Sequence, residues 1–297
     1  MMDLNTLRQF LVVARLEHLS RAADELHVAQ PSLSRTIARL ESELGTPLFD
    51  RAGRLQLNDS GKLFREYVER GLGELDAGRR AVTEAGEAFG TVRLASETLF
   101  TVTGPLAAFR RAHPAVEIEL HQLSAEEMAR RLRAQEVDLC VASQPIRGGL
   151  NQGPDLESVQ LFEEPVGVGM PVGHPLAERA SVTIEELADQ PFITARKGHW
   201  LRLLLDRLFA GSGLTPRIVC ETDEAGAIAE LISAGLGVGL VPGLARRTAI
   251  RAPAVWIAVD HPDCRRTTTL YWGAASRLSP AALLMRSAIT DWEWVSR

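Results

Sequence analysis

The chain has 297 residues, of which 45% are hydrophobic and 24% are charged, and its formal net charge is −5. This length suits two or three domains, and the composition is that of a globular protein rather than a disordered, fibrous or membrane-spanning chain. The negative net charge gives no general support for nucleic-acid binding, so any attraction to phosphate has to come from the placement of individual charges.

Three short amphipathic helices are predicted at the start of the chain. The first runs from Leu4 to Leu16. Apolar residues then recur at helical spacing in two further segments, with room for only a tight turn between them, and Pro31 suits the first turn of the last helix. Helices this short bury their apolar stripes only against each other, which predicts a helix-turn-helix. The two stripes are Ala22, Ala23 and Leu26, and Leu33, Ile37, Leu40 and Leu44.

The outward side of the third helix is polar. It carries groups that can reach base edges and phosphates from a helix lying in a major groove of DNA. A small helical bundle with a solvated polar face, whose arginines are ordinary surface charges, is the alternative interpretation. The candidate DNA contacts on this side are Gln30, Ser32, Ser34, Arg35 and Arg39.

A longer pattern extends this prediction. The run SRAADELHVAQPSLSRTIARLESELGTPLFDR, followed by Leu57, Asn58 and Gly61, closely resembles the winged helix-turn-helix of LysR-type transcriptional regulators. The match holds in order and spacing, and it implies a DNA-binding domain over residues 1–61. Double-stranded DNA is therefore the first expected partner, and RNA polymerase is a possible second one.

The resemblance also implies roles for individual residues. The expected DNA contacts are Gln30, Pro31, Ser34 and Arg35 at the start of the recognition helix, with Arg51 and Arg54 at the wing. Two residues depart from the family pattern. Ala29 replaces the usual hydroxyl residue, so we expect the recognition helix to lack a side-chain cap. Asn58 replaces the commoner threonine, which makes the wing contacts less well defined.

A seven-residue apolar repeat follows, and it predicts a long helix over residues 62–90 that packs against a copy of itself. Its glycines cost roughly 1 kcal/mol each relative to alanine, so a close partner helix would have to supply stability. A linker that matches the repeat by chance is the alternative. In the LysR-type family this segment is the dimerisation helix, which implies a homodimer or homotetramer on a dyad operator. The repeat positions are Phe64, Val68, Gly71, Leu75, Gly78, Val82, Ala85 and Phe89.

Short apolar strands alternate with helices from Thr91 onward, which predicts an α/β domain. Ser124 with Glu127, and Thr183 with Glu186, have the spacing of capping boxes at helix starts. We expect two lobes that are too large to share one sheet comfortably, with a ligand cleft between them.

The same region is similar to the effector-binding domain of LysR-type regulators, whose two lobes resemble type 2 periplasmic binding proteins. This implies a domain over residues 91–297, with lobe I formed by residues 91–162 and 267–297 and lobe II by residues 163–266. The crossings between lobes fall near Phe162 and Arg266. The expected fold class is therefore α plus α/β: a winged helix-turn-helix, a linker helix and a two-lobed effector domain.

Polar residues at strand ends and helix starts would line the cleft. Hydroxyls and free amides there suit a carboxylate or another small polar anion. Each of these residues could instead be an ordinary surface or loop residue. The candidate effector-binding residues are Ser96, Thr98, Ser143, Gln144, Thr194 and Val241.

Other signals predict no chemistry. The glycines at Gly235, Gly237 and Gly239 follow a helix and precede a strand, the reverse of a dinucleotide-binding fingerprint. No metal-ligand spacing and no catalytic constellation can be assembled, so we predict no enzyme, no metal and no cofactor. Trp200 stands where the peroxide-sensing branch of the family has its reactive cysteine, which argues against a thiol switch.

The environment of the chain is predicted from its thiols and its first residues. Cys140, Cys220 and Cys264 are far apart and odd in number, which indicates reduced thiols in a cytoplasmic protein. Charges interrupt the N-terminal segment, so neither a signal peptide nor a membrane span is expected.

Three functions therefore stay open. The first is a regulator whose cleft binds a small polar or anionic effector. The second is a DNA-binding regulator whose C-terminal lobes serve assembly only. An α/β enzyme with an accessory helical domain is the least favoured of the three.

Overall fold

The structure is a computed structural model that describes residues 2–50, 54–84, 90–146, 156–248, 254–274 and 278–294. The chain divides into two compact units. The first is built from most of residues 1–88 together with 130–136, and the second from most of the remaining chain. Within the described ranges, no helix is both long enough and apolar enough to cross a membrane.

The first unit is helical with one short β-hairpin. Its helices are α1 (Leu4–Leu16), α2 (Leu19–Glu25), α3 (Gln30–Leu44) and α4 (Asp59–Glu84), and its strands are β1 (Phe49–Asp50) and β2 (Gln56–Leu57). The two strands pair antiparallel and form the base of the wing. The predicted helix-turn-helix is confirmed, and α1 has the predicted bounds.

The start and end of α3 follow from its sequence. Ala29 occupies the N-cap position without a side-chain capping bond, as expected, and Pro31 lies in the first turn. Gly45 ends the helix with a φ of 71°, a left-handed conformation that glycine adopts without strain. The turn before α3 contains His27, whose φ of 53° is also left-handed.

The three N-terminal helices bury the two predicted stripes against each other. Ala22 and Ala23 on α2 and the α3 stripe pack around Phe10, which is fully buried. Because one side of α3 is used in this way, its other side is left facing solvent. The almost fully buried residues of the α3 stripe are Leu33, Ile37 and Leu40.

Helix α4 corrects part of the predicted dimerisation repeat. It begins at Asp59 rather than at residue 62. Val68 is buried in the core of its own unit, so its side chain does not face a partner helix. Phe64 is half-buried, with its ring 5.2 Å from the Phe10 ring, and its place in an interface stays a prediction. Further along the helix, Leu75 is 56% exposed and Val82 is 78% exposed. The repeat positions Ala85 and Phe89 lie outside the described residues.

The rest of the chain alternates helices and strands as predicted. The helices are α5 (Leu99–Ala112), α6 (Ala125–Arg133), α7 (Trp200–Gly211), α8 (Ala225–Ser233), α9 (Gly243–Thr248) and α10 (Pro280–Thr290). The strands are β3 (Thr91–Ser96), β4 (Glu117–Gln122), β5 (Leu139–Ala142), β6 (Glu157–Pro171), β7 (Ser181–Val182), β8 (Pro191–Ala195), β9 (Arg217–Thr222), β10 (Gly239–Pro242), β11 (Ala254–Val259) and β12 (Arg265–Trp272).

Local capping follows the sequence closely. The amide of Glu127 donates to Ser124 Oγ at 3.3 Å, so Ser124 caps α6. Thr183 and Glu186 exchange hydrogen bonds in both directions, but only a 3-10 turn (Glu185–Leu187) follows them. The capping box is therefore present without the α-helix that it usually precedes.

The two lobes share a continuous ladder of strands, which corrects the expectation of separate sheets. The strand order is β4-β3-β5-β12-β6-β11-β7, with β10 also paired to β6, while β8 and β9 form a separate parallel pair. Strand β6 makes this possible because of its length. Its first part pairs with β12, and its last part pairs with β10 and β11.

Each lobe nevertheless has a hydrophobic core of its own. One core surrounds Leu94, Phe109 and Leu270, and the other surrounds Phe192 and Phe209. The chain passes between the two cores along β6 and β12, the strands that contain the predicted crossings.

Candidate functional site

The polar side of α3 is exposed. Gln30, Pro31, Ser32, Arg35 and Arg39 all face solvent, and Ser34 is half-buried. This arrangement follows from the helical period, because the buried stripe on the opposite side fixes the rotation of the helix. The structure therefore brings the predicted DNA contacts of the recognition helix onto one accessible surface.

The two arginines of this surface keep donors available to a ligand. Arg35 Nε donates to the backbone oxygen of Pro31 at 3.3 Å, and no hydrogen bond of its terminal nitrogens is seen among the described residues. Among the described residues of the first unit, the ion pairs involve other cations, such as Arg15 with Glu25 and Arg8 with Asp76. Free guanidinium groups can bind phosphate oxygens or the acceptor edge of guanine.

The wing is only partly described. Arg54 is exposed, and Arg51 lies outside the described residues. Asn58 has a structural role: its Oδ1 accepts from the amide of Gly61 at 2.8 Å, and its Nδ2 donates to the Pro47 backbone oxygen at 3.0 Å. The residue that departs from the family pattern thus joins the start of α4 to the segment before β1.

The predicted effector residues of lobe I meet at the carboxyl ends of β3 and β5. Ser96 is buried, and its hydroxyl exchanges hydrogen bonds with the backbone oxygen and amide of Thr98, at 3.0 and 3.3 Å. Thr98 is the N-cap of α5 but its side chain makes no capping bond. Instead, its Oγ1 accepts from the indole nitrogen of Trp200 at 3.4 Å.

Glu97, which sequence reasoning did not single out, lies between these two residues and binds their neighbours. Its carboxylate accepts a short hydrogen bond from the amide of Ser143 and another from Gln144 Nε2 at 2.6 Å. Gln144 Nε2 also donates to the backbone oxygen of Gly198 at 3.0 Å, which links lobe I to lobe II. Burial raises the pKa of Glu97 above its ordinary value, against the lowering effect of these donors.

Arg266 is the second residue that the sequence did not reveal. It lies on β12 and is 2% exposed. Its guanidinium donates to Ser143 Oγ at 2.7 Å, to Thr101 Oγ1 at 2.9 Å and to Glu164 Oε1 at 3.3 Å. The same group lies over the Trp200 ring, 4.7 Å from its centroid.

This burial has an electrostatic consequence. Desolvation lowers the pKa of Arg266, while Glu164 and Glu97 act in the opposite direction. A buried charge is tolerated only when it is paired and hydrogen-bonded, and Arg266 meets both conditions. Four segments of the second unit are thereby held together by one side chain.

Lobe II contributes differently from the prediction. Thr194 is 2% exposed, and its hydroxyl has no hydrogen-bond partner in the described part of the chain. Val241 was expected at the edge of the cleft, and its role in effector binding stays a prediction. Val241 is buried in the core of lobe II and pairs with Gly167 in the β10–β6 ladder, and its backbone oxygen accepts from Trp256 Nε1 at 3.2 Å.

Two of the three cysteines are packed in the interior of the second unit, and Cys220 is half-buried. Cys140 and Cys264 are buried, and desolvation raises the pKa of both thiols, that of Cys264 to about 12. Cys264 also donates to the backbone oxygen of Val166. These two residues are packed as small apolar side chains.

Comparisons with known proteins cover both units. Residues 4–62 match the family model described as bacterial regulatory helix-turn-helix protein, lysR family. Residues 85–293 match the model of the LysR substrate binding domain. The two models together span most of the chain.

Curated relatives match over nearly their full length. The uncharacterized HTH-type transcriptional regulator YybE of Bacillus subtilis is 33% identical over 288 residues, which cover 95% of this chain and 96% of the relative. The transcriptional dual regulator GltC of the same organism is 33% identical, with 95% and 94% covered.

Solved structures share the fold. Full-length OxyR from Pseudomonas aeruginosa superimposes with a TM-score of 0.63 at 23% identity, covering 99% of this chain and 96% of that one. CbnR in complex with its target DNA gives a TM-score of 0.61 at 19% identity, with 98% and 99% covered.

Proposed function

Since the chain belongs to the LysR family of transcriptional regulators, and is thus a DNA-binding regulator rather than an enzyme, we propose three finer properties. It binds a dyad operator as a symmetric homo-oligomer in the cytoplasm. A small polar effector binds between the two lobes of its second unit. Occupancy of that cleft changes the spacing of the recognition helices and so the output of RNA polymerase.

The DNA-binding proposal rests on the exposed polar side of α3. Arg35 and Arg39 keep donors free on the surface where Gln30 and Ser34 also lie. CbnR, a relative in fold, has been solved with its target DNA. A helix of this kind, inserted in a major groove, reads bases with its first turns and phosphates with its flanks.

Pairing of two protomers is proposed for the second half of α4. Leu75 and Val82 are exposed apolar residues on the side that carries Gly71 and Gly78. Large apolar side chains next to glycines allow two helices to approach closely. A homodimer would place two recognition helices on half-sites about one helical turn apart, and a dimer of dimers would give a homotetramer.

Selection of DNA tests these two proposals together. Wild-type protein is used to enrich sequences from a random duplex library, and the mass of the complex is measured on the enriched duplex. We expect an inverted repeat bound by two or four chains. Enrichment of a single half-site by a monomer would contradict the proposed symmetry.

The effector proposal rests on the buried polar groups of the cleft. Thr194 has an unpartnered hydroxyl, and Gln144 and Trp200 connect the two lobes through single hydrogen bonds. A ligand could hydrogen-bond to Thr194 and replace the two hydrogen bonds between the lobes. Such a ligand would bind one relative position of the lobes better than another and so shift the protein toward it.

The hydrogen bonds around Glu97 bear on the charge that such a ligand could carry. The amide donors of Ser143 and Gln144, which were expected to hold an anion, already bind the carboxylate of Glu97. An entering anion would have to displace this carboxylate, whereas a neutral or cationic ligand could use it as an acceptor. A ligand panel therefore has to include amines and neutral compounds beside organic acids.

Thermal unfolding of the full chain with this panel tests the effector proposal. A true effector raises the unfolding temperature, and the rise grows with the logarithm of ligand concentration above Kd. Thr194→Val weakens the shift because the hydroxyl is lost. Thr290→Val, on α10, is the control and keeps the shift. A shift that Thr194→Val leaves unchanged would contradict the assignment of Thr194.

A second function is favoured by one specific observation. Each of the three guanidinium nitrogens of Arg266 donates a hydrogen bond to a protein acceptor, as in a purely structural core. In that case the lobes serve assembly only. Deletion of the second unit would then make the oligomer smaller, and no ligand of the panel would alter operator binding.

A further inference from the structure

The wing of the first unit is too small to hold its own position. Strands β1 and β2 contain two residues each, and their ladder consists of the pairs Phe49 with Leu57 and Asp50 with Gln56. An isolated two-stranded hairpin is marginally stable at best in water, and this one is far shorter than usual. Other groups must therefore fix it against the helices.

Two carboxylates bind the base of this wing. Glu41 Oε1 accepts from the amide of Leu48 at 2.8 Å and from that of Phe49 at 3.2 Å, at the start of β1. Glu17 Oε1 accepts from the amide of Leu57 at 2.8 Å, in β2. Each strand is thus held by a charged acceptor, and such hydrogen bonds are about twice as strong as neutral ones.

The two acids come from different helices. Glu41 lies on α3, two residues after Arg39, so the carboxylate joins the wing to the recognition helix itself. Glu17 is the C-cap of α1 and has a φ of 45°, a left-handed conformation that is unfavourable for a residue with a side chain. The side chains of both acids are half-buried between the helices and the hairpin.

We propose that Glu17 and Glu41 are positioning residues for DNA binding, which hold the wing at a fixed place beside α3. The wing and the recognition helix then meet one duplex as a single rigid body. This inference rests on the proposed DNA-binding function and adds to it, because neither acid touches DNA. Two negatively charged side chains would thus support DNA binding by holding the wing in place.

The opposite effect is expected from simple charge repulsion. A carboxylate near DNA opposes the phosphates, so its removal should strengthen binding whatever replaces it. If the two acids position the wing, their replacement by alanine should weaken DNA binding, because the backbone amides of the wing lose their acceptor. Glutamine, whose side-chain oxygen still accepts a hydrogen bond, restores most of it. The sign of the change separates the two explanations.

The test uses the full chain and a duplex enriched by the wild-type protein from a random library. Glu17→Ala and Glu41→Ala should each raise Kd roughly tenfold, the factor expected for loss of a charged hydrogen bond, with Glu→Gln near wild type. Hydroxyl-radical footprinting should lose protection only at the outer, wing-facing nucleotides. Glu43→Ala, an exposed acid on the same helix, is the control and should leave the footprint unchanged.

Each outcome bears on a different claim. Equal or tighter binding by both alanine variants would overturn the positioning role, and so would uniform loss of protection across the whole site. If Glu41→Ala unfolds the domain, Glu17→Ala carries the test, because it removes the acceptor of a single amide. Failure of the wild-type protein to enrich any sequence would refute the proposed DNA-binding function instead.

Discussion

The surface of α3 and the cleft of the second unit use polar residues in opposite ways. On α3, Arg35 and Arg39 are exposed. In the cleft, Glu97 and Arg266 are buried and hydrogen-bonded to the protein. The polar side of α3 is therefore accessible to a large ligand, whereas most polar groups of the cleft are already hydrogen-bonded to the protein.

Solvation explains this difference. An exposed arginine keeps its hydrogen bonds to water, so a free guanidinium on the surface costs little until DNA arrives. A buried charge without partners costs several kcal/mol, so the cleft has to satisfy its polar groups internally. Any ligand of the cleft must therefore replace existing bonds, whereas DNA only displaces water and ions.

The largest expected effect is the loss of stability when buried Arg266 in the cleft is replaced. Arg266→Ala leaves Glu164 and Glu97 without their cation, which should lower the free energy of unfolding of the second unit by about 3–5 kcal/mol. All five tryptophans lie between residues 200 and 294, so their fluorescence during urea unfolding reports this unit.

Arg265→Ala is the matched control for Arg266. Its exposed pair with Glu163 is expected to contribute about 1 kcal/mol or less. Equal destabilisation by the two variants would contradict the central place given to Arg266 in the cleft.

The next effect concerns the exposed apolar residues of α4. Val82→Asp should weaken self-association by roughly 1.5–3 kcal/mol, the free energy of burying one valine in an interface. Sedimentation equilibrium measures this as a larger dissociation constant. Leu63→Asp is the control, because position 63 lies about 100° around the helix from position 82. Equal effects of the two changes would contradict the proposed pairing of protomers along α4.

The stability of the second unit should depend on pH because Glu97 in the cleft is buried. Burial raises the folded-state pKa of Glu97, so the folded protein binds this proton more tightly than the unfolded chain. Stability is therefore lost as pH rises from the ordinary glutamate pKa through the raised one, by about 1.4 kcal/mol per unit of difference.

Glu97→Gln removes this loss, since it cannot ionise. The stability of the variant relative to wild type should increase with pH across that window, as measured by urea unfolding at several pH values. A difference that stays constant with pH would show that Glu97 does not titrate in this range. Glu163→Gln, an exposed acid on the same strand ladder, serves as control.

The smallest effect is at the start of the recognition helix. Ala29 has the extended backbone of an N-cap but no side-chain acceptor. Ala29→Ser should stabilise the first unit by about 1 kcal/mol. Thermal unfolding followed by circular dichroism measures this change, and a lower unfolding temperature would contradict the capping geometry.

The helices of the first unit and their exposed and apolar sides were predictable from the sequence, whereas the buried polar groups of the cleft were not. The bounds of α1 and the exposed side of α3 follow from helical periodicity, which depends on neighbours in sequence. The roles of Glu97 and Arg266 depend on partners from distant strands, and nothing in the local sequence distinguishes Arg266 from exposed Arg265. The same limit explains Val68, which fits a dimer repeat but packs inside its own unit.

The most direct test of the account is the affinity of Arg35→Ala for a duplex selected by the wild-type protein. We expect a loss of about 1–3 kcal/mol, roughly 5- to 150-fold in Kd, with the mass of the free oligomer unchanged. Arg8→Ala, on α1 outside the proposed contact surface, should bind as wild type does. Wild-type affinity and an unchanged footprint for Arg35→Ala would contradict the assignment of α3 as the helix that reads DNA.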